Sequence, residues 1–251
     1  MSDPVTVAQD AYLVYGIVPA GTKVRTTVIG LHDSPPLVVG HGRVAALVDT
    51  VDPDRPLGTR EDLLAYRRVL DGVGATTTVV PVAFGSVLPD ADSVVEHLLV
   101  LSEEHFAELL DYFRGRREYL LRARYHQDVI LSEVVAEQPE VAELREQTRD
   151  LPEEVSYPAR VRLGELVAAA LEEKRWTDGE QVIEHLAPYA VDHRVRELSG
   201  LEDMVEVALL VDDERSGEFE AAAEDLAERV HTRARLQLLG PMPPYDFVQE
   251  A

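Results

Sequence analysis

The order of patterns along the second half of the chain constrains its fold more than any other feature. Residues 116–126 alternate, Tyr119, Leu121, Ala123 and Tyr125 facing one way and Arg122, Arg124 and His126 the other, as a strand with one buried face requires. A long helical region follows, interrupted at Pro139 and strongly periodic through Leu163, Leu166, Val167, Ala170 and Leu171, with a further helix over 176–186 ended by Pro188. Strands are predicted over 189–198 and 204–211 around a turn at Ser199-Gly200, then a helix over 216–231 and a last strand over 233–239. That succession predicts a split βαββαβ, a modified ferredoxin-like fold with extra helices in its first crossover.

The first half is built differently. Residues 11–18 form an apolar β-type run closed by Pro19 and Gly21, and further runs at 26–30, 37–39 and 44–51 are separated by turn residues. Thr59 stands as N-cap of a helix with Leu63, Tyr66 and Leu70 on one face. A strand over 76–84 and a helical stretch through Leu98, Leu99, Phe106, Leu110 and Phe113, with a break near Ser102, lead to Gly115. The expected architecture is therefore α+β in two domains, 1–114 and 115–251, the second ending in a Pro-rich aromatic tail.

Composition narrows the chemistry. The absence of cysteine from 251 residues excludes disulfides, thiolate nucleophiles and Cys-ligated metals. A net charge of −23 opposes binding to phosphate backbones or anionic lipid, so neither nucleic acid nor membrane is an expected partner. No apolar run approaches the length of a membrane span, and Met1-Ser2-Asp3-Pro4 is no secretion signal; a cytoplasmic location is expected.

No catalytic constellation emerges. Gly40-His41-Gly42-Arg43-Val44-Ala45 spells G-x-G-x-x-A, but the strand that follows favours a hairpin turn over a dinucleotide loop, which must open a helix. The eight histidines lack metal-ligand spacing. Asp52-Pro53-Asp54, Asp90-Ala91-Asp92 and Asp212-Asp213 lack a calcium-loop frame, and Ser34, Ser86 and Ser199 lack a nucleophile elbow. No cofactor, metal or enzymatic activity is expected.

Two patterns point to partner binding. Alternation gathers Arg122, Arg124, Arg194, Arg196, Arg233 and Arg235 on the polar side of the second sheet, either neutralised by internal carboxylates or open to an acidic segment of another protein. The tail Gly240-Pro241-Met242-Pro243-Pro244-Tyr245-Asp246-Phe247 is stiffened by prolines, so Tyr245 and Phe247 lose little entropy on docking, whether on the chain itself or on a partner.

This tail resembles the G-P-x-P-P-Y-x-F ending of the gas vesicle protein GvpF/GvpL family. Tyr12-Leu13-Val14-Tyr15-Gly16-Ile17 resembles its opening strand, and Pro81-Val82-Ala83-Phe84-Gly85-Ser86-Val87 its P-x-x-F-G-T-x segment. Glu137-Gln138-Pro139-Glu140-Val141, Tyr157 and Gly164-Glu165-Leu166-Val167 match central motifs in order. Ala83 and Ser86 depart from the arginine and threonine frequent there, which puts in doubt any contact that the arginine makes. The resemblance implies a non-enzymatic accessory or minor structural protein needed to form gas vesicles, the hollow protein shells that give buoyancy. It implies contacts with the main shell protein and other accessory proteins, and for one subtype a place on the gas-facing side. The rival expectation is a general protein-interaction or small-molecule-sensing ferredoxin-like module unrelated to gas vesicles.

Overall fold

The structure, a computed structural model, describes residues 11–31, 33–53, 56–198 and 200–248. These gather into two compact units, one running up to Glu118 and resuming at Pro241, the other Tyr119–Gly240. Residues 115–118 and the tail thus group with the first half, whereas the division expected at 114/115 puts them with the second.

In the first unit, β1 (Ala11–Pro19) is almost wholly buried and is the strand around which the sheet is built. It pairs antiparallel with β3 (Val44–Val51), which pairs in turn with β2 (Leu37–His41). Two short strands, β4 (Val80–Pro81) and β5 (Val87–Leu88), take the other side of β1, giving the order β2-β3-β1-β4 with β5 also on β1. The register of β1 on β3 shifts between Val14 and Gly16, which makes Tyr15 the inserted residue of a bulge. Gly16 is required there: a Cβ would lie 2.8 Å from the Val80 carbonyl oxygen and 2.9 Å from Leu70 Cδ2.

Helix α1 (Arg60–Gly74) begins as the sequence predicts. The Thr59 hydroxyl accepts from Asp62 N at 3.1 Å, and the Asp62 carboxylate accepts from Thr59 N at 3.0 Å, a reciprocal capping box. Its buried stripe is centred on Ala65, Tyr66, Val69, Leu70 and Val73, which leaves the expected core residue Leu63 exposed. A short α2 (Ala91–Ser93) continues through a π-helical stretch, Val94–Leu99, into α3 (Val100–Tyr112). The expected break is found at Ser102, whose φ of −124° and ψ of 16° are not helical.

Two predicted strands are corrected. Residues 26–30 form a loop, because the backbone at Leu31 is claimed by the Asp49 side chain instead of a neighbouring strand. Of residues 76–84 only Val80–Pro81 enters the ladder; Pro81 has no N–H to donate, and the bulge at Tyr15 interrupts pairing along β1.

In the second unit the chain runs β6 (Arg116–Tyr125, its first residues belonging to the first unit), α4 (Gln127–Glu137), α5 (Pro139–Thr148) and α6 (Glu153–Leu186). It continues through β7 (Asp192–Val195), β8 (Asp203–Asp212), α7 (Ser216–Val230) and β9 (Ala234–Met242). The sheet order is β7-β8-β6-β9. Pro139 separates α4 from α5 by standing at the first turn of α5, where its missing N–H costs nothing. The core joins Leu121 and Tyr125 of β6 and Val207 and Leu209 of β8 to Leu186 of α6 and Phe219 of α7. The separate helix expected over 176–186 is instead the last part of one 34-residue helix. The strand expected over 189–198 shortens to four residues, because Ala187–Tyr189 makes a 3₁₀ turn. The Ser199 half of the predicted turn lies outside the described residues.

Candidate partner-binding surface

On β6 the side chains of Tyr119, Leu121, Ala123 and Tyr125 enter the helix-covered core, which turns Arg122 and Arg124 to the opposite face of the sheet. The β7–β8 register sets Arg194 opposite Ala208, and Arg196 N donates to the Glu206 carbonyl at 2.9 Å, so both arginines share the face of Glu206. Glu206 is the hub of that face. Its carboxylate accepts from Arg122 Nη2 at 3.2 Å and from Arg196 Nη1 at 2.8 Å. Arg124 Nε lies 2.7 Å from Asp203, and Arg194 Nη1 lies 2.9 Å from Asp192.

Arg235 follows buried Ala234 and is exposed, with no ion pair or hydrogen bond among the described residues. Five of the six predicted arginines therefore share a face, and four of them are neutralised by carboxylates of their own sheet. The arginine ends of these pairs reach solvent while Glu206 is half-buried and Asp203 buried, so the carboxylates stay with the sheet and the guanidinium groups face outward. The sequence does hint at Glu206, a lone carboxylate inside the apolar run 204–211. Asp203 and Asp192 carry no such signal among 47 acidic residues.

Arg233 is the correction. It precedes β9 instead of opening it, so the i, i+2 rule that would put it beside Arg235 does not apply. It turns to the helix side, where Nε lies 2.8 Å from Glu133 Oε1 and Nη1 2.8 Å from Asp178 Oδ1, and its guanidinium sits 5.5 Å from the Tyr125 ring centroid. The network extends through Lys174, whose Nζ is 2.7 Å from Glu137, and through the Tyr125 hydroxyl, which donates to Asp178 at 2.5 Å. Hydrogen bonding to Arg233 holds the Glu133 carboxyl below its ordinary range, while burial, seconded by the Asp178 carboxylate, pushes the Tyr125 hydroxyl up. Beside this network a cavity of about 270 Å³ is lined by Asp178, Gln181, Val182, Met204, Arg229 and Arg233, among others. The charged groups there already answer one another, Arg233 with Asp178 and Arg229 with Asp225.

The tail residues are built into the first unit. Pro243 packs on Gly74, where a Cβ would come within 2.9 Å of it. The Tyr245 hydroxyl donates to Asp71 Oδ1 at 3.0 Å, and the Arg67 guanidinium lies 5.8 Å from its ring centroid. Asp246 N donates to the fully buried Glu118 at 2.8 Å, and Phe247 is buried. Tyr245 and Phe247 act first as an intramolecular clamp.

The remaining motifs resolve as turns and caps. Gly42-Arg43 is a two-residue hairpin loop between His41 and Val44, with Gly42 at φ 52°, and no helix follows it. The Glu103 carboxylate accepts from Arg43 N at 3.0 Å, which lowers its pKa. Asp90 caps α2, and the Ser86 hydroxyl donates to the Ala83 carbonyl at 2.8 Å in a turn. No group of three or more His, Cys, Asp or Glu is placed to hold a metal among the described residues, which exclude His32 and Asp54.

The described fold is thus that of an α+β protein with two antiparallel, helix-backed sheets, an ion-paired arginine face and a C-terminal strap. The family model described as "Gas vesicle synthesis protein GvpL/GvpF" matches residues 11–249, and the chain belongs to that family. It is 35% identical to gas vesicle protein F of Streptomyces sp. (strain CB03234) over 222 residues, covering 88% of this chain and 91% of the relative. It is 21% identical to gas vesicle protein F of Microcystis aeruginosa, covering 94% and 97% of the two chains. The crystal structure of GvpF from Anabaena sp. PCC7120 superposes with a TM-score of 0.78 at 21% identity, over 96% of this chain and 99% of that one, a likeness of fold.

Proposed function

We propose that this protein is a non-enzymatic accessory or minor structural component required to form gas vesicles, binding the main shell protein and other accessory proteins during assembly. The observation that carries this reading is the family match along nearly the whole chain, 35% identical to a gas vesicle protein F over 91% of that relative's length. The protein acts at the vesicle in the cytoplasm. Protease resistance in intact vesicles that is lost on collapse would place it on the gas-facing side of the shell, whereas cleavage in both would place it outside.

The second unit is read as a modified ferredoxin-like domain, with α4, α5 and α6 in the first crossover and α7 in the second. Its strand order β7-β8-β6-β9 supports this. The shell-protein surface is assigned to the arginine face, chiefly Arg235, together with Arg124 and Arg194, the most exposed of the paired arginines. Arg122 and Arg196 join it while still paired to Glu206. Arg233 holds the helices to the sheet, and Tyr245 and Phe247 hold the strap. Arg235→Glu should weaken pull-down of the main shell protein and vesicle formation while leaving the melting temperature unchanged, because Arg235 is exposed and holds no carboxylate among the described residues. Undiminished pull-down rejects the site; a deletion strain that still makes vesicles rejects the function. A metabolite-sensing role rests only on the cavity beside Arg233, and the internal pairing of its charges favours the protein-binding reading.

A further inference from the structure

Three arginines without a carboxylate partner among the described residues border one helix face. Along α1, Arg60, Leu64, Arg67 and Asp71 fall on one exposed row, flanked by Leu63 and Arg68. Leu63 is 45% and Leu64 49% exposed. Arg60 and Arg68 have no ion pair or hydrogen bond among the described residues, and Arg67 only overlies the Tyr245 ring. This face offers apolar surface framed by unanswered positive charge.

The inverse face is also present on this chain. Along α6, Val161, Glu165, Ala168 and Glu172 form an exposed row, with Tyr157 63% and Val161 44% exposed at its start. Glu172 has no ion pair among the described residues, and Glu165 has only a 3.7 Å contact from exposed Arg162. A Cβ built on Gly164 would meet nothing within 4 Å, so a neighbouring side chain has room there.

The spacings agree. Arg60 to Arg67 and Glu165 to Glu172 are each seven residues, about 10.5 Å at 1.5 Å per residue. Laid antiparallel, Arg60 meets Glu172, Leu64 meets Ala168, Arg67 meets Glu165, and Arg68 crosses over Gly164.

We propose that α1 of one copy docks antiparallel on the 161–172 face of α6 of a second copy. The two surfaces differ, so the contact is heterologous: each copy keeps one unused surface and the association can propagate head to tail. One helix pair covers much less than the ~800 Å² per partner of a stable dimer, so the association is weak and concentration-dependent.

The test is sedimentation velocity of the full chain at rising concentration. Wild type should associate. Arg60→Glu with Arg67→Glu, and separately Glu165→Arg with Glu172→Arg, should each weaken association by about tenfold or more, since each turns two attractive pairs repulsive. All four positions are exposed, so unchanged circular dichroism is expected, with a melting temperature lowered only by the loss of Arg67 from the Tyr245 ring. An equimolar mixture of the two variants should regain association, because each then meets a surface of opposite charge. Wild type that stays monomeric to its solubility limit overturns the proposal. So do variants that associate like wild type, or a mixture that stays monomeric.

Discussion

Replacing Tyr245 by alanine tests whether the tail is part of the first unit's structure. Removing a fully buried aromatic side chain costs about 3–5 kcal/mol, and this ring is only partly buried against Tyr66 and its neighbours, so roughly 2 kcal/mol is expected from packing. The hydrogen bond to Asp71, whose carboxylate is exposed, adds about 1 kcal/mol. The Arg67 contact at 5.8 Å adds at most about 0.5 kcal/mol. The sum, roughly 3 kcal/mol, is a large part of the stability of an ordinary domain, about 5–15 kcal/mol. Tyr245→Phe keeps the ring and should lose only about 1 kcal/mol. Two units need not unfold together, so a measure read element by element locates the loss more directly than one global midpoint. Hydrogen exchange read by mass spectrometry should show faster exchange in α1 and around residues 113–118, with residues 203–212 unchanged. Tyr245→Ala that weakens partner binding but leaves exchange in α1 untouched would refute the clamp and make the tail a ligand for another protein.

Two further outcomes follow from buried polar groups. Asp49 is 3% exposed and accepts from the Tyr15 hydroxyl at 2.5 Å and from Leu31 N at 2.9 Å; Asp49→Ala should cost about 3 kcal/mol in urea unfolding. Adding Tyr15→Phe should recover part of that loss, whereas additive losses would show that the two side chains do not act together. Burial raises the hydroxyl pKa of Tyr15, Tyr66, Tyr119, Tyr125 and Tyr245 above 10.0, their ordinary value. A raised folded pKa gives stability that is complete below the unfolded value and is lost as pH climbs past it. The protein should therefore destabilise above about pH 10, with tyrosinate absorbance from these five appearing only as it unfolds; their ionisation in the folded protein would contradict the burial.

The chain by itself determined what depends on near neighbours and on periodicity. The Thr59 cap needs only Asp62 three residues on; the hairpin at Gly42 needs only a residue that accepts positive φ. The alternation over residues 121–125 of β6 fixed which of those side chains face the helix-covered core and so placed Arg122 and Arg124. The motifs spread along the chain, the tail above all, pointed to the family. Tertiary structure alone decided how the charges pair, because Glu133 and Arg233 are a hundred residues apart and any of many carboxylates could have served. It also decided that residues 26–30 loop, that α6 runs unbroken, and that the tail closes on α1. Those outcomes rest on which groups meet across space: one buried aspartate captures a backbone amide, and one glycine leaves a proline room to pack.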